Sequence, residues 1–200
     1  PEAISRTGYD AIVLKGASKG PIALEISEKG VLFHDASDLW GQDTYTTEDT
    51  ALERWGTESK GPNKSGAIVI GPAGEKLIRF AVIENDKWRS AGRTGVGTVM
   101  GSKKVKAMVF NGSKKREFAD PDGLKAFVKE STQRIREAPI FGNYKKLGTP
   151  MLVDLLNEAG AFPTRYWSKG QSKFRDKINA PAMQEIMDVK PHACRHCPVA

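Results

Sequence analysis

"VKAMVFNGSKKREFADPDGLKAFVKESTQRIRE", residues 105–137, contains the change of hydrophobic period that decides the fold. Its opening run, Val105 to Phe110, is short, apolar and rich in strand-forming residues. From Phe118 onward the spacing is different. Leu124, Phe127, Val128 and Ile135 fall near one face of a 3.6-residue repeat. Asp120 stands where an N-cap belongs, and Pro121 occupies the first helical position, where its missing N–H costs nothing. The spacing therefore predicts a strand, then a helix, with the changeover near residue 115.

Working towards the N-terminus, the chain reads as short strands. "AIVLKG" (11–16), "IALEIS" (22–27), "VLFHDA" (31–36), "AIVI" (67–70) and "LIRFAVI" (77–83) are β-rich runs, several separated by glycine-bearing turns. One helix interrupts them. "TTEDTALERWG" offers Thr46 or Thr47 as cap, acidic residues in the first turn and Gly56 at the stop. Working towards the C-terminus, "GTPMLVDLLNEAG" repeats the helical design, with Thr149 as cap, Pro150 at N1 and Gly160 as the stop. "APAMQEIMDV" is a third, shorter helix. Strands segregated from helices indicate an α+β chain, not alternating βαβ units. The expected division is a β-rich domain over 1–115 and the start of a helical domain over 116–200.

Composition narrows the function classes. The hydrophobic share is 39%, with four Trp, eight Phe and four Tyr, which argues against wholesale disorder. No apolar run approaches the roughly 18 residues of a membrane span. The opening "PEAISRTGYDAIVLKG" has neither an initiating Met nor the plan of a signal peptide, and the expectation is a chain cut from something longer. Two cysteines are too few for a secreted disulfide scaffold, so a cytoplasmic setting is expected. Net charge is +7 and unevenly spread. Lys/Arg outnumber Asp/Glu by 15 to 14 up to residue 110 and by 16 to 10 beyond it. A basic excess suits a solvated face or an acidic partner, and no aromatic-interleaved nucleic-acid motif accompanies it.

The densest chemistry lies in "NDKWRSAGRTGVGTVMGSKKVKA", residues 85–107. Arg89 and Arg93 supply forked donors that match phosphate oxygens. Gly92, Gly95, Gly97 and Gly101 let backbone approach a ligand closely. "GRTGVG" is only part of a dinucleotide fingerprint and lacks the acidic residue that would hold a ribose. A glycine-rich connection carrying two surface arginines is the plainer alternative.

The only thiols, Cys194 and Cys197, sit in "PHACRHCPVA". A zinc site needs two further ligands, which His34, His192 and His196 do not offer at the usual spacing. A thioredoxin-type pair wants a βαβ context, and c-type haem attachment wants His where Pro198 stands. An iron–sulfur site pairs Cys-x-x-Cys with further cysteines and often a proline. Two free thiols are the remaining alternative, and the residues alone leave the choice open.

"TGYDAIVLKG", "DASDLWG", "IGPAGEKLIRFAVIENDKWRSAGRTGVGTVMGSKKVKA", "LGTPMLVDLLNEAGAFPTRYW" and "CRHCPVA" resemble, in order and spacing, the tungsten-containing aldehyde:ferredoxin oxidoreductases. The likeness runs over nearly the whole chain and is most specific from Ile70 to Ala107. The resemblance implies a tungsten or molybdenum ion held by two pterin dithiolenes (tungstopterin), with a [4Fe–4S] cluster beside one pterin. It implies a β-rich base on which the pterins lie, completed by largely helical domains. Residues matching the family's pterin-contacting segment are Arg89, Ser90, Gly92 and Arg93. Ser90 stands where a small apolar residue is common, and Thr94 where a glycine is common. Cys194 and Cys197 match the first two cluster ligands, and the family pattern puts the next one directly after Ala200.

The implied reaction is oxidation of a small aldehyde to a carboxylic acid, with electrons passing through the cluster to ferredoxin or an electron-transfer subunit. An acidic ferredoxin would be steered by the basic C-terminal half. The resemblance also implies a homo-oligomer or a place in a larger complex, with no nucleic-acid or membrane role. No acid–base residue is assigned; in the family those groups lie later in the chain, and the 200 residues alone are expected to be inactive. A related alternative is a tungsten-dependent aromatic acyl-CoA reductase of the benzoyl-CoA type. A distant one is a basic, zinc-binding nucleic-acid module.

Overall fold

The computed structural model describes residues 2–57, 64–189 and 197. The chain divides into two compact units, Pro1–Glu117 and Phe118–Ala200. Strands of the first unit and helices of the second make it an α+β chain.

The first unit contains helix α1 (Glu2–Arg6), the hairpin β1 (Ile22–Ser27) and β2 (Gly30–Asp35), and helix α2 (Thr44–Trp55). Strand β3 (Gly66–Val69), the one-turn helix α3 (Pro72–Glu75) and the ribbon β4 (Ile83–Asn85) and β5 (Arg89–Ala91) follow. Helix α4 (Val96–Ser102) and strand β6 (Val105–Asn111) complete it. The strands form one sheet in the order β2-β1-β6-β3-β4-β5. Only the β1–β6 pair is parallel. Every residue of β6 is buried, as expected of a central strand covered on both faces.

The two faces are lined differently. One carries Ala23, Ala67, Val69, Ala107 and Val109, small residues that let α2 approach with Ala51, Leu52 and Trp55. The other carries Leu24, Ile26, Ile70, Met108 and Phe110 and packs against Met100 of α4 and Ala3 and Ile4 of α1.

Several elements depart from the sequence reading for identifiable reasons. Residues 11–16 form no strand. They lie against the bulky face, to which Ile12 and Leu14 contribute, while Ser18 N–H donates to Lys103 C=O at 3.1 Å. Residues 77–83 are mostly turn. Pro72 starts α3, Leu77 takes a left-handed φ of 57°, and ladder pairing begins only at Ile83. The cap of α2 is Asp43, whose carboxylate accepts from Thr46 N–H at 2.9 Å. Those amide and hydroxyl donors hold the Asp43 carboxyl below the usual range. Gly56 does end α2; a Cβ there would lie 2.3 Å from Leu52 C=O.

The second unit contains α5 (Pro121–Glu137), α6 (Pro139–Leu147), α7 (Leu152–Glu158) and α8 (Ala180–Met187). Asp120 caps α5 by accepting from Gly123 N–H at 2.8 Å, with Pro121 in the first turn as its spacing predicts. Thr149 and Pro150 open a 3-10 turn instead of capping one continuous helix, and α7 follows it. Helix α6 was not anticipated. Among the described residues, no helix is long and apolar enough to cross a membrane.

Candidate functional site

The ribbon β4–β5 carries Arg89 and Ser90. Cross-strand partners are Ile83 with Ala91, Glu84 with Ser90, and Asn85 with Arg89. Because side chains alternate along a strand, Arg89 and Ser90 point to opposite faces. Ile83 joins the bulky-face cluster, which puts Arg89 on that side and Ser90 on the α2 side. Ser90 Oγ donates to Glu84 Oε1 at 2.6 Å, so its hydroxyl is already engaged. Asn85 Nδ2 donates to the Arg89 carbonyl at 3.2 Å. Ser90, Ala91, Arg93 and Thr94 are exposed, and Arg89 and Gly92 are half-buried.

The ribbon tip is held by α2. Asp86 and Lys87 both adopt left-handed backbone, φ 47° and 67°, without being glycine. Such geometry costs about 1–2 kcal/mol per ordinary residue. The carboxylate of Glu48, a side chain only 3% exposed, accepts from both backbone amides, at 2.7 Å from Asp86 and 2.9 Å from Lys87. Lys87 Nζ also pairs with Asp49 and lies 5.7 Å from the Tyr45 ring centroid.

Beyond the ribbon, Thr94 (φ 76°) and Gly95 (φ 72°) are consecutive left-handed residues that lead into α4. Most glycines of this stretch serve packing. A Cβ at Gly95 would meet Arg79 C=O at 1.9 Å, one at Gly97 would meet Val82 C=O at 2.3 Å, and one at Gly101 would meet Gly74 C=O at 2.0 Å. Only Gly92 borders a side chain alone, with Val82 Cγ1 3.2 Å away. Backbone contact of α4 and its entry with residues 79–82, and with α3 at Gly74, thus accounts for glycines that the sequence also allowed as ligand-approach residues.

A buried ion pair underlies the same region. Opposite β1, the partner of Ile22 is Val105 and that of Ala23 is Ala107, so Lys106 is the extra residue of a bulge. A bulge re-aims its side chain. Lys106 Nζ, fully buried, pairs with Glu75 at 2.5 Å and donates to Gln42 C=O at 2.8 Å. Burial pushes the Lys106 ammonium below the ordinary lysine value, against the opposing pull of Glu75. Glu75 also accepts from Gly41 N–H at 2.9 Å, tying the segment before α2 to α3.

Neither Glu48 nor the Lys106–Glu75 pair was singled out from sequence. A lysine inside an otherwise apolar strand, "VKAMVF", is the signal that was available for the second. Of the cysteines, Cys197 is a half-buried free thiol, and Cys194 lies outside the described residues. Among the described residues, no cluster of three or more His, Cys, Asp or Glu is disposed to hold a metal ion.

Two features of the ribbon bear on what it can bind. Strand β5 is at the sheet edge, so one side of its backbone has no ladder partner among the described strands. Arg89 opens that strand and Arg93 follows it by two residues, so two guanidinium groups, each a forked donor, belong to the same short stretch.

The family described as "Aldehyde ferredoxin oxidoreductase, N-terminal domain" matches residues 1–112, and its "domains 2 & 3" counterpart matches residues 126–200. The chain is 39% identical over 193 residues to a tungsten-containing aldehyde ferredoxin oxidoreductase of Thermococcus kodakarensis, covering 96% of this chain. It is 37% identical to the protein of the same name from Pyrococcus furiosus, again over 96% of this chain. The chain spans 31% of the length of each. Among solved structures, it resembles the active-site complex BamBC of benzoyl coenzyme A reductase bound to 1,5-dienoyl-CoA. That match has a TM-score of 0.61 and 32% identity, over 69% of this chain and 21% of that one. With the family's N-terminal domain matched across the whole sheet and its later domains matched across the helices, the chain belongs to the aldehyde ferredoxin oxidoreductase family of tungsten oxidoreductases.

Proposed function

We propose that this chain is part of a cytoplasmic tungsten, or molybdenum, bis-pterin oxidoreductase that oxidises aldehydes to carboxylic acids and delivers the electrons through a [4Fe–4S] cluster to ferredoxin. Residues 1–115 form the pterin-binding base, and residues 116–200 open the helical domain. The observation that carries the reading is an exposed edge strand with two nearby arginines, inside the region matched to the family's N-terminal domain. When bound, the metal–pterin group supplies the two-electron redox centre. The overall change takes oxygen from water and releases two protons and two electrons per aldehyde.

The chain's own residues bind and orient. Arg89 and Arg93 direct forked N–H donors at phosphate oxygens. Ser90 and Gly92 contribute backbone, since the Ser90 hydroxyl is spent on Glu84. Cys194 and Cys197 supply thiolates to iron, with the remaining ligands outside these residues. No side chain here is given a proton-transfer role.

The test uses the full-length protein, purified without oxygen from cells grown with tungstate. Expected are stoichiometric tungsten, pterin phosphate and iron, and aldehyde-dependent reduction of a viologen dye. A preparation with its fold intact but free of pterin and iron would overturn the reading. A second reading is favoured by the likeness to the BamBC complex: reduction of an aromatic-ring thioester within a larger assembly. It is distinguished in the same preparation, by oxidation of pre-reduced dye on addition of an aromatic acyl-CoA and no aldehyde-dependent dye reduction.

A further inference from the structure

We propose that Glu48 is a positioning residue for the cofactor-contacting strand, acting through the backbone of Asp86 and Lys87. The inference rests on the reading of Arg89–Arg93 given above and goes beyond it, since Glu48 lies in α2, far from that stretch in sequence.

Three observations carry it. Glu48 is a carboxylate buried in a sheet-facing helix, a placement that is disfavoured unless its oxygens are satisfied. Both oxygens are satisfied by main-chain N–H groups of the ribbon tip and by no side chain shown to contact them. Both residues so held have left-handed backbone; aspartate tolerates it, but Lys87 stands where hairpin tips favour glycine. The local sequence therefore specifies this tip only in part, and the distant carboxylate completes it. Two residues after Lys87 comes Arg89, so the tip sets where β5 begins and which way its guanidinium and outer edge face.

Glutamine is the informative substitution. It keeps shape and volume, but it presents one oxygen and one NH2 group to two N–H donors, so one amide loses its acceptor. In full-length protein prepared without oxygen, Glu48→Gln is expected to lower tungsten per chain at least threefold. Far-UV circular dichroism should stay unchanged, and hydrogen exchange at the amides of 86 and 87 should be at least tenfold faster. Adding Asp86→Gly, which removes the side-chain penalty at φ 47°, should restore at least half of the lost tungsten. Glu53→Ala, on the same helix, should match the parent protein.

Tungsten content in Glu48→Gln equal to the parent overturns the inference. So does a loss that follows a general fall in thermal stability and is not restored by Asp86→Gly, because that marks a purely structural role. Arg89→Ala/Arg93→Ala separates the two levels of argument. If that variant also keeps its tungsten, the cofactor reading itself fails. If it loses tungsten while Glu48→Gln does not, only the role of Glu48 fails.

Discussion

The two units of this chain bury very different amounts of themselves. In the first, both faces of the sheet's central strands are covered, and Ile26, Val69, Ile70, Val109 and Phe110 are almost wholly withdrawn from water. In the second, the only buried apolar residues among those described are Ala180 and Ala182. Helix α5 carries a well-formed apolar stripe, yet Phe127 is 65% and Val128 53% exposed. The difference teaches that pattern and burial are separate properties. Amphipathic spacing and caps shape a helix locally, whereas stability requires another surface against the stripe. The first unit provides such a surface for its own helices.

Four substitutions break or sharpen this contrast, read by urea unfolding of the 200-residue chain. Trp40, Trp55 and Trp88 report on the first unit and Trp167 on the second. The largest effect is expected for Phe110→Ala, a loss of about 4 kcal/mol from a filled core. Glu75→Ala follows at about 3 kcal/mol, because it leaves the Lys106 ammonium buried without its counter-charge. Thr94→Gly should act in the opposite direction, stabilising by about 1 kcal/mol, since a β-branched residue at φ 76° is strained. The smallest effect is expected for Phe127→Ala, within about 0.5 kcal/mol, as for other exposed positions. A loss of several kcal/mol at Phe127 would mean that the stripe of α5 is covered in solution, and the contrast between the units would collapse.

Much of this architecture was legible. Strands β1, β2, β3 and β6, helix α2 and the capped start of α5 follow from period and punctuation, which are local signals. What escaped is non-local. "ENDKWRSA" does not read as a hairpin because neither left-handed tip residue is glycine; the geometry is imposed by Glu48 from α2. "VGTVMGS" is a poor helix on propensity, and it forms where its glycines allow α3 to touch it. "AIVLKG" has the composition of a strand but packs flat on the sheet without joining its ladder. At the candidate site, the residue types were readable in the sequence. Their alternation across the ribbon, with Arg89 and Ser90 on opposite faces, needed the register.

The place where α3 meets α4 has one more consequence. Main chain lies on main chain there, with no rotamer between to take up slack. A joint of that kind passes displacement on instead of absorbing it. Glu75, at the end of α3, also holds Lys106 and the Gly41 amide, so a side chain added at Gly101 would disturb the sheet's centre and the segment entering α2 as well as α4.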